Sequence, residues 1–175
     1  MLLSHLNRTP EGRSYLKHMK KQKGFSLIEL LIVVAIILII AAIAIPNLLR
    51  ARIAANESSA VASVRTVNTA MISYNSSYPT VGFASTLSVL GGSCTGATVP
   101  TSASACLIDA TLAGGTKSGY TFHSTGTSGS YYVYGNPVTS NSTGVNSFCS
   151  IQDAVVRKTG TTAITSCAGS EAPLQ

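Results

Sequence analysis

From Phe25 to Leu49 the chain reads FSLIELLIVVAIILIIAAIAIPNLL, and every residue from Leu30 to Ile45 is Leu, Ile, Val or Ala. As an α-helix rising about 1.5 Å per residue, such a segment crosses a hydrocarbon layer about 30 Å thick. A water-soluble domain cannot leave this stretch uncovered, so it must lie in lipid or against other protein. One residue strains the simplest reading, a membrane anchor. Glu29 puts a carboxylate inside the run, at a cost of about 2.5–3.5 kcal/mol at mid-membrane on insertion scales and less near the surface, so it needs a partner.

The charge pattern orients the segment. Before Phe25 stand Arg8, Arg13, Lys17, Lys20, Lys21 and Lys23 against Glu11 alone, whereas the rest of the chain has six basic residues against five acidic ones. Basic residues just before an apolar span mark its cytoplasmic side. This distribution argues against a phosphate-binding patch, and no specific nucleic-acid partner is expected. A cleavable secretory signal would have a shorter apolar region followed by small residues, and PNLLRAR is no such site.

The string KGFSLIELLIVVAI resembles the processing and methylation motif of type IV prepilins and related pseudopilins, and PNLLRARIAANESSAVASVRTVNTAMISY resembles the later half of the long pilin helix. The resemblance covers about Lys20 to Tyr78. It implies a leader, residues 1–24, that is cytoplasmic and removed after Gly24, with translation starting at Met1 or Met19. Phe25 then becomes an N-methylated terminus whose amine stays cationic below a pKa of about 8. In a filament, the Glu29 of one subunit would meet the Phe25 amine of a neighbour and help set the axial register, because a buried pair punishes misalignment. The implied partners are identical subunits, a prepilin peptidase and methylase, and an inner-membrane assembly platform with its ATPase. The precursor would sit in the inner membrane with its distal domain periplasmic, and the product would be an extracellular pilus.

The expected fold is α+β. Residues 25–49 form the transmembrane or filament-core helix, with Pro46 as a break or kink. Residues 50–77 continue it as an amphipathic helix, since Ala60, Val64, Val67, Met71 and Tyr74 recur at three- and four-residue steps while Ser59, Ser63, Arg65 and Asn68 take other faces. One helix from about Ser26 to Asn75 is therefore expected, ending at Tyr78-Pro79. Residues 78–175 form a small β-rich domain with strand-like runs at Tyr120–His123, Ser130–Tyr134, Ser147–Ile151 and Ala154–Lys158. Gln152-Asp153 suits a tight turn between the last two runs, making an antiparallel hairpin.

All four cysteines lie beyond the span, where disulfides persist. Four cysteines allow three connectivities. Cys94 with Cys106 and Cys149 with Cys167 would close two short Ser/Thr/Gly-rich loops; one bridge and two buried thiols is the alternative.

Catalytic machinery is not legible. His123 has no second His or Cys at ligand spacing, and Asp109, Asp153 and Glu171 are too scattered for a carboxylate pair or a calcium loop. There is no nucleophile elbow and no phosphate loop, so neither enzyme activity, cofactor nor metal is expected. The Asn-x-Ser/Thr strings at Asn56, Asn75 and Asn141 are expected by chance in so hydroxyl-rich a chain.

Three classes remain: a pilus subunit, a pseudopilin of a secretion or competence system, and a bitopic protein with a binding ectodomain. SYPTVGFASTLSVL resembles the loop after the helix in major secretion pseudopilins, which are usually cysteine-poor and carry a calcium loop. Within the first two classes Glu29 is expected to matter to assembly more than Glu57, which lies outside the span.

Overall fold

The computed structural model describes residues 24–92, 99–160 and 162–174. The chain divides into two compact units, Met1–Ala41 and Ala42–Gln175. Helix α1 (Leu27–Ser77) belongs to both. Two short helices follow, α2 (Leu87–Leu90) and α3 (Ala110–Ala113), and then six strands: β1 (Thr116–Lys117), β2 (Tyr120–Gly126), β3 (Tyr131–Pro137), β4 (Ser147–Ile151), β5 (Arg157–Thr159) and β6 (Ala172–Pro173). The strands pair antiparallel in chain order, β1-β2-β3-β4-β5-β6, so the fold is α+β.

In the first unit the described side chains of α1 are almost all exposed, from Leu27 at 80% to Val34 at 46%. In the second unit the same helix buries a stripe. Ala60, Val64, Val67, Met71 and Tyr74 are each no more than 1% exposed, as the helical spacing predicted. Their partners are the inward residues of the sheet, Tyr120 and Phe122 on β2, Tyr131 and Val133 on β3 and Phe148 on β4, together with Leu87, Leu90 and Leu112 from the short helices. Gly135 lies opposite Phe122 in the β2–β3 register, and a Cβ there would come within 2.7 Å of the Phe122 ring. The glycine is what lets the ring lie across β3.

Three readings are refined. Of the break or kink read at Pro46, the break does not occur: α1 runs through it, in keeping with the single helix expected from about Ser26 to Asn75. Proline withholds the amide that the Ala42 carbonyl would accept, but one missing bond within 51 helical residues is carried by propagation on either side. Ser63 and Asn68, placed on faces other than the apolar stripe, are nonetheless only 4% and 3% exposed. Asn68 is satisfied inside: its Nδ2 donates to Ser150 Oγ at 2.9 Å and to the Ala154 carbonyl at 3.2 Å, and its Oδ1 accepts from the Tyr131 hydroxyl at 3.3 Å. Finally, the β4–β5 hairpin is present, but β5 starts at Arg157 rather than Ala154. Ala154 has φ 59°, and the Asp153 carboxylate accepts from the Val155 amide and grips Arg157, so this stretch is a side-chain-braced loop.

Candidate functional site

The sequence directs attention to the start of α1. Ser26 precedes the first helical residue and its carbonyl accepts from the Leu30 amide at 3.2 Å, the N-cap pattern. Three residues on, Glu29 Oε2 accepts from the Ser26 backbone N–H at 3.1 Å. This is the Glu half of a capping box, and it also places a carboxylate in the first turn, where the helix dipole favours it. The sequence reading missed this partner, although Ser-x-x-Glu before an apolar run is its signature. Glu29 is not bare when the chain is alone. Among the described residues no other donor reaches its carboxylate, so it keeps acceptor capacity for a cation from outside.

Gly24 and Phe25 lie just before the cap. A Cβ at Gly24 would meet nothing within 4 Å. Among the described residues, no contact demands glycine at this position. Phe25 is 86% exposed, so its ring is free of the chain's own core. Pro46, inside α1, takes no part in this cluster.

A second cluster ties the helix to the sheet. Glu57 Oε1 accepts from the Val145 amide at 2.9 Å and from the Asn146 amide and Nδ2 at 3.0 Å each. Beside it, Asn56 Nδ2 donates to the Thr143 carbonyl at 2.8 Å. The Tyr120 hydroxyl closes the cluster by donating to the Asn146 carbonyl at 2.8 Å, and burial, with Glu57 nearby, pushes the phenol pKa well up. A Cβ at Gly144 would fall 2.0 Å from that hydroxyl, so the β3–β4 loop approaches the ring only because residue 144 is glycine. Glu57 thus has a structural load that its position beyond the apolar run did not suggest.

The cysteines divide. Cys149 on β4 and Cys167 are joined, with Cα atoms 5.8 Å apart. Cys106 is disulfide-bonded, while the expected Cys94–Cys106 link falls at Cys94 outside the described residues. Glu171 lies close to Cys149 and Cys167, but sulfurs committed to a bridge are not a thiolate ligand set. His123 is exposed on β2 and stacks on Tyr134 at 5.2 Å.

Residues 19–45 match the model of the prokaryotic N-terminal methylation motif. The chain is 65% identical over 40 residues to the type IV wide pilus major component PilA4 of Thermus thermophilus, covering 23% of this chain and 30% of that protein. It is 40% identical over 68 residues to the type II secretion system core protein G of Vibrio cholerae, covering 37% of this chain and 47% of that protein. No solved structure matches the chain. The chain spans less than half the length of either relative. Its N-terminal segment is type IV pilin-like.

Proposed function

We propose that this type IV pilin-like chain is the structural subunit of a pilus, cleaved after Gly24, methylated on the Phe25 amine and polymerised through the first half of α1. The observation that carries the reading is the division of one helix into two regimes, bare apolar side chains from Leu27 to Ile45 and a fully buried stripe from Ala60 to Tyr74. The bare half needs cover. A bilayer supplies it before assembly, and identical helices supply it afterwards.

The Ser26–Glu29 cap refines the role of the acid. In the precursor the carboxylate accepts from the Ser26 backbone N–H; in the fibre a neighbour's Phe25 amine offers a full positive charge, a stronger partner for a desolvated carboxylate. The exposed Gly24–Phe25 bond suits a prepilin peptidase, and the assembly platform and ATPase belong to the same reading, as does a periplasmic distal domain. The fibre would support adhesion, motility or DNA uptake.

The pseudopilin reading is favoured by a different observation: similarity to the secretion protein extends over 68 residues, past the motif. Imaging of sheared surface fractions, with mass spectrometry of the subunit, separates the two. Long fibres made of this chain, starting at methylated Phe25, support the pilus subunit. Short periplasmic assemblies, with export of other proteins lost on deletion, select the pseudopilin. An intact leader in the mature protein would overturn both.

A further inference from the structure

The structure separates the Asn-x-Ser/Thr strings that the sequence left equivalent. Asn56 lies within α1 and its amide nitrogen is committed to the Thr143 carbonyl at 2.8 Å. Asn75 is half-buried in the last turns of the same helix. Asn141 differs from both. It sits in the β3–β4 loop at φ 61°, a left-handed conformation that asparagine tolerates better than most residues. It lies in an exposed run, residues 138–142, and among the described residues its side-chain amide has no hydrogen bond. The loop is anchored by other atoms: the Asn141 backbone N–H donates to the Gly144 carbonyl at 2.8 Å and the Ser142 N–H to the Thr139 carbonyl at 3.2 Å. An Asn-x-Ser/Thr acceptor belongs on a surface loop with its amide free, and only Asn141 of the described three meets that requirement.

We propose that Asn141 is a glycosylation acceptor, its side-chain amide taking a sugar from a diphosphate-activated donor. The Asn141 Nδ2–C1 bond forms and the C1–O bond to the donor phosphate breaks. The phosphate leaves with the electron pair, and one Nδ2 proton passes to a base of the transferase. Thr143 supplies the hydroxyl two residues on. In the folded loop its Oγ1 accepts from the Thr139 N–H and donates to the Thr139 carbonyl, both at 3.1 Å, so the transferase acts on a loop that opens locally or on a chain not yet closed. Nothing in the core moves, because the modified side chain makes no contact that the fold uses.

The test is intact-mass and peptide mapping of the full chain from cells that make it naturally. A sugar is expected on Asn141, lost in Asn141→Gln and in Thr143→Ala and kept in Thr143→Ser, which retains the hydroxyl. Asn75→Gln should leave it in place. Asn141→Asp, which keeps the size and suits the same backbone conformation, should fold normally without the sugar and so distinguishes lost modification from lost structure. An unmodified Asn141 in the native protein, or a sugar that survives Asn141→Gln, overturns the proposal.

Discussion

Glu57 on α1 and Asn146 just before β4 are 89 residues apart in sequence, yet the backbone N–H and the side-chain amide of Asn146 both donate to the one carboxylate. With the Val145 amide this makes a clasp of the kind that charge strengthens, since hydrogen bonds to an ionised acceptor are worth more than neutral ones. Removing the acceptor strands three donors in a half-buried site. Glu57→Ala is expected to lower the stability of the processed chain in detergent by roughly 2 kcal/mol, read from the denaturant midpoint. Glu57→Gln, which keeps an acceptor oxygen, should lose less. Equal stability of all three proteins would show that the clasp carries no net energy.

The cap at the start of α1 allows the charge of Glu29 to be separated from its hydrogen bond. Glu29→Gln keeps an oxygen for the Ser26 N–H but has no charge for an incoming amine, whereas Glu29→Ala loses both. If charge is what assembly uses, both variants insert and are cleaved normally, and both yield few or no fibres in sheared fractions. Abundant fibres from Glu29→Gln but not from Glu29→Ala would assign the residue to helix capping instead.

The Cys149–Cys167 bridge closes a chain separation of 18 residues and fastens the segment after β5 to β4. Replacing both cysteines with serine should cost about 3 kcal/mol, the usual value for a loop of this size. Non-reducing peptide mapping should recover a Cys149–Cys167 peptide. A Cys106–Cys149 peptide in its place would contradict the Cys149–Cys167 bridge and the path of the chain after β5.

Ser124 on β2 is 8% exposed and its hydroxyl has no hydrogen-bond partner among the described residues. A buried hydroxyl without a partner has lost its water for nothing. Ser124→Ala should therefore raise stability, by about 1 kcal/mol, with a higher melting temperature as the sign. A fall in melting temperature would mean that the hydroxyl is satisfied, for instance by an internal water.

The acid limb of stability should be governed by three carboxylates. Arg157 holds the Asp153 carboxyl below its ordinary pKa, Lys117 does so for Asp109, and the Ala168 amide does so for Glu171. Each pKa is lower folded than unfolded, so the stabilisation is complete above the unfolded-chain values near about 4 and drains away as pH falls through the folded ones. Denaturant midpoints should be flat from neutrality to about pH 5 and decline below about pH 4. Asp153→Asn should make that decline shallower; an unchanged slope would remove Asp153 from the account.

The sequence by itself determined α1. Its apolar run, the buried stripe from Ala60 to Tyr74 and the stop before Tyr78-Pro79 are local or periodic features, and a helix satisfies its own backbone without distant partners. Four of the six strands, β2 to β5, were legible as strand-like runs; the two-residue β1 and β6 were not, nor was the start of β5, whose boundary is set by how Asp153 braces the loop. Glu29 was legible as an anomaly, and its Ser26 partner was within reach of a motif reading. Only the tertiary structure decided the rest. Asn68 could be buried because Ser150, Ala154 and Tyr131 converge on it, and Glu57 became a clasp because the β3–β4 loop folds back onto α1. The physical reason is the same in both cases. A polar side chain on a helix faces solvent unless donors and acceptors from far along the chain arrive to replace water, and the periodicity of one segment contains no record of what another will bring to it.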